Sequence, residues 1–360
     1  MILTIIVAFI SLIGLIVLHE LGHFFVAKKF GVKVEEFGIG YPPKLFGKKF
    51  GETIYSLNLL PFGAFVRMAG ETEKIEDKRS YSNQSVWKRA LVAFAGVLSF
   101  WIIAAILFSI VFGLGTPAVV SDDADNLQNP IVEVAGVSNN SPAEKAGIKM
   151  GDTILKIQNP KSEIQISIDK VKQVQEFTEE YKGQEITLTI QRGKEVFDTK
   201  LTPRVSPPSG EGAMGIALVR TAIKSYPWYL APWQGIVATV NMTGAILQGY
   251  GSAIANIFKG LPTGVQLTGP VGVFQLLTQA SQLGISYFLQ FIGMIAIYIA
   301  IFNILPIPAV DGGKLLFLGI EIIRRKPISE KIEQNITAVF FVLLLIMMIL
   351  VTIKDVIRIF

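Results

Sequence analysis

The chain has 360 residues, 51% of them hydrophobic and 17% charged, with a mean hydropathy of +0.50. That balance excludes an ordinary soluble protein of this length and points to an integral membrane protein with some water-facing mass. The lack of cysteine excludes a disulfide framework, a thiolate metal site and a thiol nucleophile, and the net charge of +5 informs only through where the charges fall.

Four stretches stay apolar for the roughly 20 residues a bilayer core demands: Ile2 to Ala27, Leu91 to Leu114, Ile285 to Val310 and Ile336 to Ile353. They predict a polytopic α-helical membrane protein of about four transmembrane helices. The first, residues 1–27, reads as a retained span rather than a signal peptide, because no basic residue precedes it and no small-residue cleavage pattern follows. Its end holds the HExxH run His19-Glu20-Leu21-Gly22-His23.

Residues 28–90 are rich in Lys and Arg, from Lys28 and Lys29 to Lys88 and Arg89, which predicts a cytoplasmic loop. Inside it, at 52–70, Thr53 to Leu59 alternates polar and apolar, "LPFG" reads as a turn and "AFVRM" as a returning strand, so a β-hairpin is expected. The second span, 91–114, leads to a segment, 115–130, whose acidic "SDDADNLQN" reads as a flexible linker. Residues 131–222 read as a soluble α/β module with a strand at Thr153 to Ile157, a helix at Ile168 to Tyr181 and a strand pair after it. Its "SPAEKAG" followed by "GD" and "ILKI" resembles a PDZ domain, a resemblance that implies an extended peptide bound at a sheet edge. The run "GAMGIALV" is the candidate peptide-carboxylate loop.

Residues 223–284 carry no charge from Ser225 to Phe258 but are rich in Gly, Thr, Asn and Gln. They predict an interfacial helical segment anchored by Trp228, Tyr229 and Trp233. The third span, 285–310, ends in a cytoplasmic loop, 311–335, that opens with Asp311-Gly312-Gly313, and the fourth span fills 336–360. Lys314, Arg324, Arg325, Lys326 and Lys331 place that loop in the cytoplasm, and the middle module outside it.

In a helix His19 and His23 are one turn apart on one face, the spacing two imidazoles need to share a zinc ion, with Glu20 beside them to handle a water. The chain has only two histidines, both here, and ionisable groups inside a span are costly enough to mark function. A catalytic zinc takes three protein ligands and keeps one open position, so the third ligand must be a carboxylate. Asp311 is the first charge after Lys259 and follows a helix broken by Pro306 and Pro308, at the same membrane side as His23. One Zn2+ per chain is expected, although the donor set also suits other divalent ions.

"HELGH", "NILPIPAVDGG", the inserted module and "LTGPVGVF" at Leu267 to Phe274 together resemble the site-2 protease family, in its PDZ-containing bacterial branch of the regulator of sigma-E protease type. The resemblance covers almost the whole chain. It implies an intramembrane zinc metalloprotease of the bacterial plasma membrane that cuts transmembrane segments, such as those of anti-sigma factors or signal-peptide remnants, after a first cut outside. By motif, His19, His23 and Asp311 are metal ligands, Glu20 is the catalytic base and Asn303 helps position substrate. The hairpin matches a membrane-associated β-loop of the family, and its Asn58, Leu59, Phe62 and Gly63 are candidates for holding an unwound substrate strand. The partners implied are a transmembrane substrate, a peptide at the PDZ-like module and the lipid bilayer, with no nucleic acid.

One departure stands out: where the family's second span often reads Ala-Gly-Pro, two residues and Asn, this chain has Val97 and Phe100 in the Pro and Asn positions. A second reading, a membrane-tethered peptide-binding scaffold without protease activity, would leave Glu20 without a purpose.

Overall fold

The computed structural model describes residues 2–71, 75–125, 127–159, 165–193, 195–208, 211–261 and 268–359. The chain divides into two units, one of Met1–Val111 with Trp228–Phe360 and one of Phe112–Pro227.

Among the described residues, four helices are long and apolar enough to cross a membrane: within α1 (Ile2–Lys29), α2 (Val86–Leu114), α7 (Ile285–Ile304) and α9 (Glu330–Ile359). The third ends sooner than the expected residue 310. Pro306 and Pro308 lack amide donors, and a residue before proline avoids helical backbone, so Leu305 turns extended (ψ 144°). The expected loop that follows is a helix, α8 (Asp311–Arg324), with Asp311 in its first turn, where a carboxylate suits the helix dipole. Gly312 and Gly313 explain their own identity: a Cβ on either would lie 2.0 Å from the Leu305 carbonyl oxygen or 2.4 Å from that of Ile307. The fourth helix begins at Glu330 rather than 336.

Residues 231–258 and 270–283 form α5 (Ala231–Phe258) and α6 (Pro270–Leu283). Trp228, Tyr229 and Trp233 are exposed, and α5 is not among the helices apolar enough to span. The Asp355 carboxylate, buried on α9, accepts the Gly272 amide at 2.8 Å, which ties α9 to the first turn of α6. The Leu267 end of "LTGPVGVF" lies outside the described residues.

The hairpin expected at 52–70 differs from expectation. Two strands form it, β1 (Val34–Phe50) and β2 (Thr53–Met68), joined through Gly51 and Glu52. Glu36 to Ile39 faces Ala64 to Arg67 on one side and Ile54 to Leu57 on the other, so Ala64–Met68 pairs with β1 and not with Thr53–Leu59. Lys44 to Phe50 closes on the remaining edge of Thr53–Asn58. The reason is burial: Val34, Phe37 and Met68 join Phe24, Ala27 and Val92 in one core, which fixes Glu36–Ile39 at the centre. Glu52 at the turn binds Arg79 and Lys28, which hold its carboxyl down to about 2.

Among the described residues, the second unit holds a seven-stranded sheet in the order β3 (Thr116–Val119), β9 (Ile216–Lys224), β4 (Gln128–Val137), β5 (Thr153–Gln158), β7 (Ile186–Arg192), β8 (Glu195–Leu201), with β6 (Gln165–Ser167) on β5. Val132, Ile154, Ile157, Leu188 and Ile190 pack under α4 (Val171–Glu180) through Val174 and Phe177. A short helix, α3 (Pro142–Lys145), starts where Ser141 Oγ accepts the Glu144 amide at 3.1 Å.

The expected linker at 115–130 is instead part of this unit. β3 pairs with Thr221–Lys224, Asp122 accepts the Val171 and Lys172 amides that open α4, and buried Arg220 donates to the Ser121 and Asp122 carbonyls. Acidic residues that look solvated in sequence here satisfy the orphan amides of a helix N-terminus.

Candidate metal centre

The apolar run of α1 is helical throughout, so His19 and His23 stack one turn apart and project from one face. Helix α8 brings Asp311 to them through its glycine-tight start. His19 Nε2 lies 3.2 Å and His23 Nε2 3.3 Å from Asp311 Oδ2, and the two Nε2 atoms are 3.3 Å apart. All three residues are buried, at 8%, 6% and 8% exposure.

The triangle is the right size for a metal. Two ligand atoms at about 2.0–2.1 Å from a tetrahedral zinc stand about 3.3 Å apart, and every edge here matches. Among the described residues, Asp311 Oδ2 and His19 Nδ1 are buried without a hydrogen-bond partner, as expected of a carboxylate awaiting a cation. His23 Nδ1 sits 2.8 Å from the Val92 carbonyl oxygen, which receives its proton and leaves Nε2 free as a ligand. Glu20, next to His19, is half-buried at the same turn of α1.

Helix α2 supplies what the sequence reading did not assign. Gly22 and Gly96 let α1 and α2 approach closely: a Cβ at 22 would lie 2.6 Å from the Ala95 carbonyl oxygen, and one at 96 would lie 2.1 Å from His23 Nε2. Phe100 stacks on His19, ring centroids 4.6 Å apart and 17° from parallel. The one signal in the sequence was the departure from the family pattern at Val97 and Phe100, both of which prove fully buried.

Around the triad, α8 is tethered twice. Lys314 Nζ binds Glu71 at 2.7 Å, and Arg89 binds Glu321 at 2.6 Å. The Glu71 carboxylate raises Lys314 well above the ordinary lysine range, overcoming burial. Beside Asp311, between α8 and α9, lies a cavity of about 520 Å³ whose walls include Lys314, Phe317, Thr337 and Phe341.

The proposed substrate-positioning residues separate. Asn58 is 4% exposed and its amide donates to the Gly40 and Ile39 carbonyls, so it is taken up in holding β1. Leu59 is half exposed, and Gly63 is buried with φ +128° against the Tyr41 ring. The Phe62 side chain lies outside the described residues. Asn303 is half-buried in the last turn of α7, just before the proline break.

Four apolar helices and a buried two-histidine, one-carboxylate centre define a membrane-bound metallohydrolase. The chain belongs to peptidase family M50, whose pattern it matches over residues 7–347. It is similar to a protein of Clostridium perfringens named "Putative zinc metalloprotease", 38% identical with 98% of each chain covered. Two further relatives are the zinc metalloprotease RasP of Shouchella clausii, 28% identical over 98% of this chain and 99% of the relative, and the regulator of sigma-W protease RasP of Bacillus subtilis, 28% identical over 99% of each.

Proposed function

We propose that this chain is an intramembrane zinc metalloprotease in which His19, His23 and Asp311 hold the metal and Glu20 is the general base. The observation that carries the reading is the 3.2–3.3 Å triangle of ligand atoms, buried within a membrane-spanning helix pair and closed by α8. Held by these three residues, zinc would supply Lewis acidity, polarising the scissile carbonyl and lowering the pKa of a water toward neutrality. Glu20, beside His19, would serve as the base that accepts a proton from the attacking water and then as the acid that returns it to the departing amine. Val92 holds His23 in the ligating tautomer, and the apolar walls of α1 and α2 keep bulk water from the site.

A helical substrate hides its scissile amides in its own hydrogen bonds, and an unwound backbone in lipid needs replacement partners. The β-loop has an outer strand, Lys44–Phe50, whose far edge suits this, with exposed Leu45, Phe46 and Phe50 for apolar side chains. The substrates that fit are single transmembrane segments already trimmed outside, of the anti-sigma factor or signal-peptide-remnant kind. The basic loop 28–90 supports an orientation with the triad toward the cytoplasm and residues 112–227 outside it.

That unit serves as a PDZ-like screen. Among the described residues, β9 pairs with β3 over Thr221–Lys224, and a cavity of about 160 Å³ runs between Ile216–Leu218 and the α4 residues Val174 and Thr178. An extended peptide end fits there as an added strand.

The deciding experiment compares wild type with Glu20→Gln on a membrane-embedded substrate while bound metal is quantified. Equal zinc with cleavage by wild type alone supports the reading. Equal zinc with cleavage by both removes Glu20 from the chemistry.

A further inference from the structure

The two histidines are held in different ways. His23 has a hydrogen-bond acceptor for its outer nitrogen, the Val92 carbonyl at 2.8 Å, which is the usual means by which a ligating imidazole is oriented. His19 has none: its Nδ1 is buried without a hydrogen-bond partner among the described residues. Against the face of that ring lies Phe100, itself 2% exposed, at 4.6 Å between centroids and 17° between planes. Val92, Gly96 and Phe100 are four residues apart on α2 and share one helical stripe. The first faces His23 with a carbonyl, the second leaves room for both rings, and the third covers His19.

We infer that Phe100 is a positioning residue for His19, its stacked ring fixing the imidazole plane that a hydrogen bond fixes in His23. Aromatic faces attract neighbouring rings of partial positive charge, and a metal-bound imidazole is one. The same ring covers one face of His19 with hydrocarbon, and the unpartnered Nδ1 at the edge of the imidazole is itself buried. Phe100 stands where the family pattern often has Asn, so an apolar contact occupies a position at which an amide would offer an acceptor.

This inference rests on the ligand assignment proposed above, and its test separates the two. The full-length chain and the variants His19→Ala, Phe100→Leu, Phe100→Met and Phe100→Tyr are purified in detergent. Zinc affinity is measured by chelator competition, the visible spectrum is recorded after cobalt substitution, and thermal unfolding is followed without metal. Leu and Met keep apolar volume without a ring, and Tyr keeps the ring. The expected result is a loss of zinc affinity of about tenfold in Leu and Met, with an altered cobalt spectrum, and near wild-type values in Tyr. Wild-type affinity and spectrum in a folded Leu or Met variant, with His19→Ala unable to bind zinc, overturns the role of Phe100 alone. Full zinc binding by His19→Ala overturns the ligand assignment as well.

Discussion

A histidine that is to hold a metal inside a span has to be oriented, and the residues around this site divide that task. His19→Ala and Asp311→Asn are each expected to abolish stoichiometric zinc, read by metal analysis of the purified protein, because two remaining donors do not make a catalytic site. Glu20→Gln is expected to keep zinc and lose cleavage by about 10²–10⁴-fold in kcat. Gly96→Ala inserts a methyl 2.1 Å from His23 Nε2, so it is expected to lose metal although no donor has been removed. Metal content compared with helix content by circular dichroism checks this. At this scale the three residues that the fold brings together were legible because chemistry restricts the candidate donors: the chain has only two histidines, and Asp311 stands alone after a long uncharged stretch. Gly96 and Phe100 were not, since a glycine and a phenylalanine in a span are indistinguishable from packing until a partner helix is placed against them.

The helices in the membrane were readable from hydropathy alone, whereas the elements that set the site geometry were not. The turn at Leu305–Val310 follows from two prolines, yet that a helix starts at Asp311 depends on two glycines fitting under the carbonyls of Leu305 and Ile307. The β1 strand escaped because its Gly, Pro and Lys content reads as loop, and its pairing is dictated by a core shared with α1. Helix α8 is held by Arg89–Glu321, whose side chains are 14% and 17% exposed. Removing one member of so buried a pair costs about 3 kcal/mol. Arg89→Ala is therefore expected to lower the melting temperature and weaken zinc binding, and the swap Arg89→Glu with Glu321→Arg to recover part of both. Recovery of neither would mean that the pair does not hold α8. In the sheet, Asp152 is 1% exposed and paired with Arg192 at 2.7 Å. Burial pushes its carboxyl up, but Arg192 and the Lys149 amide outweigh burial and hold it below the ordinary value. A depressed carboxyl stabilises the fold above its unfolded pKa of about 3.9, and that contribution fades as pH falls through the lower native value. Thermal stability is expected to drop below about pH 4 in wild type, with a shallower slope in Asp152→Asn.

For the molecule as a whole, the division at Phe112–Pro227 means that the sheet unit has its own core and expects to fold alone as a soluble fragment. A cooperative thermal transition of residues 112–227 is the check. The absence of cysteine makes the topology directly measurable. Single cysteines at Lys48 and Val196, both exposed, are expected to react on opposite faces of the membrane, with position 196 labelled in intact cells and position 48 only after permeabilisation. Equal labelling of both would overturn the orientation proposed from the basic loops.

Helix α9 forms one wall of the cavity beside Asp311, yet none of its apolar window is buried in protein, and its packing is chiefly against α6 near the Asp355 tether. A span that leans on lipid takes its tilt from the match between its apolar length and the hydrocarbon thickness. The width of the cavity beside Asp311 is then a property of the bilayer as much as of the polypeptide. Reconstitution in lipids of graded acyl length should make the cleavage rate rise and fall around one thickness, while zinc affinity, set within α1, α2 and α8, stays level.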